Sequence, residues 1–202
     1  MLKRIIIFLS LLIVLCPSAV IANTTDDSYY GWGNYGNCNY GECPITLTSS
    51  GAVSLAISPT SSGSCSVQSD SVTVLTDNGA GYTLQLASSA TNSNLVNGAY
   101  AVSATSGTPA SPASLNANSW GYRVDGTYGF GPGPTTAQSS IAAPISSFAG
   151  IPTSAETPAT IKVTNTSANP AQSTSVWYGV CVDTSIPSGT YSAQVTYTAL
   201  NN

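Results

Sequence analysis

Side chains able to do chemistry are few and widely spaced in this 202-residue chain. It has five cysteines and no histidine. Four of the thiols, Cys38, Cys43, Cys65 and Cys181, lie beyond an N-terminal apolar run that contains the fifth, Cys16. An even set in an exported chain reads as two disulfides, with three connectivities open. The favoured pairing is Cys38–Cys43, closing a small loop, and Cys65–Cys181, tying an early strand to the penultimate one. A zinc site is disfavoured, because there is no imidazole and only one pair of thiols is close in sequence. A nucleophilic thiol would lack its basic partner. Histidine cannot serve as general base, and there is no G-x-S-x-G elbow, phosphate-cradling glycine motif or aromatic-flanked carboxylate pair. No catalytic, cofactor-binding or metal-binding residues are assigned, and no enzyme is expected.

Other isolated groups read as structural. Asp125, in the run RVDGTYG, is a turn residue, since a calcium loop needs several carboxylates and only one is present. Asp26 and Asp27 read as a solvated pair. Lys162 alternates with Ile161 and Val163, so the lysine faces solvent if those two face the core, which argues against a buried lysine–asparagine cross-link. Trp120 shares a face with Tyr122. Trp177 lies on the strand face opposite Val176 and Val180, and core packing is the preferred reading for both tryptophans. Asn23 and Asn165 fit glycosylation sequons, a match frequent by chance.

The start of the chain bears on its compartment. Lys3 and Arg4 precede an apolar stretch over residues 5–15, and Val20 and Ala22 provide small residues before Asn23. That is the pattern of a secretory signal peptide over residues 1–22, too short for a lasting membrane span. A lipoprotein signal at Cys16 would need a small residue where Leu15 stands. Beyond residue 22, Arg123 and Lys162 are the only bases against eight acids, a side-chain net charge of −6. Two cations cannot neutralise a run of phosphates or an anionic bilayer, so neither nucleic acid nor membrane insertion of the mature chain is expected.

The elements that would carry these residues are strands. Residues 175–200 give two long runs of alternating apolar and polar side chains around Pro187, Ser188 and Gly189, read as two strands joined by a turn. Residues 82–86 alternate cleanly after Asp77-Asn78-Gly79, the clearest short hairpin signal. Residues 45–48 and 53–57 flank a Ser-Ser-Gly break and read as one interrupted strand or a hairpin. Further strands are expected within 65–76, 95–104, 115–124 and 159–165, with 107–114 and 126–134 as loops and no sustained period over 137–158. Helical periodicity is confined to the leader. Residues 23–44 form a separate Tyr/Gly-rich, flexible head whose Tyr29, Tyr30, Trp32, Tyr35 and Tyr40 offer flat amphipathic faces for contact. The organisation is therefore signal peptide 1–22, head 23–44, and an all-β domain 45–202, a single Ig-like or Greek-key sandwich of about seven to nine strands.

Three stretches carry a family resemblance: SVTVLTDNGAGYTLQL (71–86), LNANSWGYRVDG (115–126) and YGVCVDTSIPSGTYSAQVTYTA (178–199). In this order they resemble uncharacterised exported β-sandwich surface proteins of reduced-genome, host-attached candidate-phylum bacteria. The last is also distantly similar to the closing strand of secreted pilin and spore-coat-type domains, in which such a strand can pass between subunits. The resemblance implies location and architecture rather than a reaction. The expectation is a non-enzymatic secreted or cell-surface structural and adhesion module, with other surface proteins or a host-cell surface as partners and self-association open. Two alternatives stand beside it: a pilin-like subunit polymerising by strand exchange, and a carbohydrate-binding domain.

Overall fold

A computed structural model describes residues 11–16, 21–22, 43–142 and 146–202, the first two segments by their backbone alone. The described residues contain thirteen strands and no helix. They are β1 (Leu11–Cys16), β2 (Ile21–Ala22), β3 (Ile45–Ser49), β4 (Val53–Ile57), β5 (Ser64–Thr76), β6 (Tyr82–Ser88), β7 (Leu95–Asn97), β8 (Tyr100–Ala104), β9 (Ser119–Val124), β10 (Gln138–Ile141), β11 (Ala159–Val163), β12 (Ala168–Val182) and β13 (Thr190–Asn201). Eleven of them lie within the expected domain, more than the seven to nine read from spacing.

The strands make a two-layer sandwich, mostly antiparallel. In one layer β12 runs beside β5 from Val182↔Ser64 to Ala168↔Thr76 and beside β9 on its other edge, while β3 and β10 line the far edge of β5. In the other, β13 pairs with β6, and β6 with β11. The β7–β8 hairpin joins the layers, β7 touching β13 at Ser192 and β8 running parallel to β9. Ser192 is shared by β7 and β1, and Thr198 by β6 and β2, so β1 and β2 occupy the edge of β13 opposite β6 and β7. β1 also pairs antiparallel with β4.

The hairpin expected at Asp77–Gly79 does not form, and the two closing strands, present as expected with a turn between them, do not pair with each other. β12 and β13 are not hydrogen-bonded neighbours, and the segment around Pro187 carries the chain from one layer to the other. Their apolar faces meet across the interior instead, where the hydroxyls of Tyr178 and Tyr197 share a buried 2.7 Å hydrogen bond. Residues 77–81 likewise cross from β5 to β6, which pair with different strands. The Asn78 Nδ2 closes this corner by donating to the carbonyls of Gly81 and Asn202. Turn residues mark a reversal of direction; whether the reversed strand pairs with its predecessor depends on which layer its apolar face must cover.

β3 and β4 are the interrupted-strand alternative, one strand changing layers at Gly51, whose φ of +112° is glycine territory. The fully buried Asp70 fixes the crossing by accepting bonds from Ser49 Oγ, Ser50 N and Ser50 Oγ. The stretch 137–158, read as featureless, contains β10 and two bridge residues, Phe148 and Ala149, which bond to Ala113 and Tyr122.

From Val176 to Val182 both faces of β12 are buried. Val176, Tyr178, Val180 and Val182 enter the main core, while Trp177 and Cys181 face outward into a second cluster with Cys65, Val67, Leu115 and Phe148. Gly179 makes room for that cover: a Cβ there would lie 2.6 Å from the Phe148 ring and 2.9 Å from Leu115 Cδ1. The buried Phe148 ring cannot swing away. Gly179→Ala is therefore expected to cost about 1–3 kcal/mol by overpacking and to red-shift the emission of Trp177 as the cover lifts. Urea denaturation with fluorescence checks both.

Burial raises the phenols of Tyr178, Tyr197 and Tyr122 well above their usual range, with the Asp70 carboxylate adding to the first two and Tyr128 to the third. Their folded-state values lie above the unfolded value near 10, so the native state holds protons that the unfolded chain releases. Stability is expected to be level with respect to these groups below about pH 10 and to fall above it, by up to about 1.4 kcal/mol per pH unit for each phenol. Urea midpoints between pH 8 and 11.5 test this, and replacing Tyr178 and Tyr197 together by Phe should flatten the slope.

Candidate functional surface

The groups with chemical potential are absorbed into the fold one by one. Cys65 and Cys181 form the expected disulfide at a directly opposed pair of β5 and β12, closing 116 residues of sequence. By chain entropy such a loop contributes about 4–5 kcal/mol. The bridge lies within one layer and locks the register of the longest ladder. Cys43 is disulfide-bonded as well. Its expected partner Cys38 lies outside the described residues, as do the expected contact residues Tyr29, Tyr30, Trp32, Tyr35 and Tyr40.

Lys162 does not alternate as read. A bulge between Thr160 and Lys162 shifts the register, so Ile161 is buried while Val163 is 61% exposed. The Lys162 ammonium lies 5.8 Å from the centre of the Tyr82 ring, a cation–π contact. Trp120 is buried, donates to the Ser93 carbonyl and stacks on Tyr178. Asp183 accepts from Ser185 and Asn118, bonds that hold its carboxyl below the usual range. Among the described residues no three cysteines or carboxylates gather as a metal site would need, and no helix is long and apolar enough to cross a membrane.

Arg123 has the largest local influence, and sequence reading saw it only as a charge. Alternation on β9 sends Tyr122 and Val124 into the main core with Trp120, leaving Arg123 on the outer face. There loop residues cover it completely. Its Nε donates to Asp125 Oδ1 at 2.9 Å, Nη1 to the Ser147 carbonyl, and Nη2 to the carbonyls of Phe130 and Gly131. The guanidinium also sits over the Phe130 ring at 5.9 Å. The rigid fork suits several carbonyls at once, as an ammonium would not. Asp125 is thus the turn residue expected, and its charge is spent on Arg123.

This clamp fixes the loop that presents Tyr128, 54% exposed with φ of +53°, a backbone that non-glycine residues rarely adopt. The β7–β8 hairpin exposes Val96 at 42% and Tyr100 at 55%. These exposed side chains were not singled out from sequence, although 126–134 was read as a loop.

No family model matches the chain, and neither a curated protein nor a solved structure matches it.

Arg123→Lys is expected to cost roughly 3–5 kcal/mol, because carbonyls and a carboxylate arranged for a guanidinium lose their donors inside the protein. Asp125→Asn should cost less, since three carbonyl acceptors remain on Arg123. Urea midpoints for the two variants check the order.

Proposed function

We propose that the chain is an exported, cell-surface structural and adhesion module acting by protein–protein contact, akin to the surface proteins its three sequence stretches resemble. The observation that carries this reading is the pairing of a charge-poor, disulfide-locked sandwich with two outward aromatic side chains, Tyr100 at the end of the β7–β8 hairpin and Tyr128 on a tight loop, each more than half exposed. Exposed tyrosine gives contact area at low entropic cost and keeps a polar tip for bonding. Supporting it, Arg123, Asp70, Cys65 and Cys181 are each engaged in holding the fold, which leaves little reactive chemistry at the described surface. Polymerisation by donating the last strand has less to rest on, since β13 is paired with β6 from Val195 to Asn201 and buries Tyr191, Val195 and Tyr197 in the core.

Purified exported protein, labelled and titrated onto intact host cells, onto its own cells and onto a glycan panel, separates the readings. Saturable binding to a cell surface is expected, surviving glycosidase treatment and weakened about tenfold or more by Tyr100→Ser or Tyr128→Ser. Binding to isolated glycans with the cell signal lost after glycosidase treatment would favour the carbohydrate reading.

A further inference from the structure

The β13 edge opposite β6 and β7 meets only β1 and β2. β1 lies parallel to β13 from Leu12↔Thr190 to Cys16↔Gln194 and antiparallel to β4 from Leu11↔Ile57 to Leu15↔Val53. The ladder with β1 is the only one β4 makes among the described residues. Both filling strands come from residues 1–22, which the exported-module reading removes. Without them a slot one strand wide, about 9.5 Å between the flanking backbones, would open between β4 and β13. Two rows of peptide groups would lose their partners.

We propose that, once the leader is removed, the chain's own Tyr/Gly-rich segment, residues 28–37, takes this slot as a strand running in the direction β1 shows. This rests on the exported-module reading for the loss of the leader. Direction is the first argument. β1 and β2 run toward the Asn201 end of β13, where Asn201 Nδ2 donates to the Cys43 carbonyl at 2.7 Å. The segment's own exit is therefore anchored at the mouth of the slot. A strand arriving there needs only a reverse turn to enter β3 and β4, which makes an antiparallel hairpin with the wall it must pair. Length is the second. Twenty residues, 23–42, separate the leader from Cys43, and the β13 edge over 190–199 takes about ten strand residues. Aromatic content is the third. A strand over 28–37 places Tyr30 and Trp32 on one face and Tyr29 and Tyr35 on the other, so whichever face turns to the core brings two large rings. A tethered strand also competes at an effective concentration near millimolar, ahead of one from a second copy.

The full precursor should be secreted, its N-terminus fixed by intact mass, its size measured by light scattering, and its amides followed by hydrogen exchange. A monomer beginning at Asn23, with slow exchange in 28–37 and along 190–199, is expected. Tyr30→Pro combined with Trp32→Pro should speed exchange along the slot-facing edge of β13 by about 100-fold or more, while the β5–β12 ladder stays protected as a control for folding. Fast exchange of 28–37 in the wild-type monomer would overturn the proposal. So would edge protection found only in concentration-dependent oligomers, which would assign the slot to a second copy. A retained leader would overturn the exported-module reading along with it, whereas an N-terminus at Asn23 with an unprotected head would overturn the slot proposal alone.

Discussion

Two phenol hydroxyls 2.7 Å apart across the buried interior set the relation between the layers. Tyr178 belongs to one sheet and Tyr197 to the other, and each is almost wholly shielded. In such surroundings a hydroxyl without a partner costs about 1–3 kcal/mol, so a slide of either layer that separates the pair is penalised twice. Apolar packing by Val176, Val180, Val195 and their neighbours supplies the attraction between layers but is tolerant of small displacements. The hydroxyl pair adds the specificity that dispersion lacks, and the stack of Trp120 on Tyr178 keeps the ring from turning away from it.

That requirement reaches outward through β12. A strand with one face committed to the core and hydrogen bonds on both edges has only its outer face left, and here that face is also covered. Gly179 stands opposite Gly121 across the β12–β9 ladder, and the missing side chains leave a trough into which residues 148–149 settle. The Cys65–Cys181 bridge lies beside this trough, with Trp177 and Phe148 in the same cluster. The disulfide therefore fixes the register of the β5–β12 pair on which the outer cover is built, while the tyrosine pair fixes the layer beneath. Two different interactions hold the two faces of one strand.

How far this could be seen in the sequence depends on whether the signal was local. The alternation of residues 176–182 and 191–199 revealed both long strands, their buried faces and the class of fold, because period two is a property of each strand alone. The oxidised pair Cys65–Cys181 belonged to the favoured one of three connectivities that even parity left open. What was hidden is which strand neighbours which. Pro187 to Gly189 and Asp77 to Gly79 look like hairpin turns, and the chain does reverse at both, but each reversal also changes layers. Nothing within four residues encodes that choice; it is set by the partner strands, β9 and β5 for β12, β6 and β1 for β13. Val163 failed for a related reason, since one extra residue at the bulge inverts every face after it. Arg123 was legible as a cation but not as a clamp, because its acceptors are carbonyls from residues 130, 131 and 147 that no side-chain pattern marks.

The scarcity of charge follows from the same architecture. A surface of Ser, Thr and Asn suits strands, where β-branched and small hydroxyl side chains fit the pleat, and it leaves few long cationic side chains to guard exposed edges. Of the two bases beyond residue 22, Arg123 is enclosed, and Lys162 lies against Tyr82 on β11, whose one ladder among the described residues is with β6. Backbone closes two of the gaps instead: the β7–β8 hairpin bridges the layers on one side, and β1 lies between β4 and β13 on the other. A sandwich built this way is completed by a segment from outside its own compact stretch of sequence. The identity of that segment decides whether the sheet is closed within one chain or open to another.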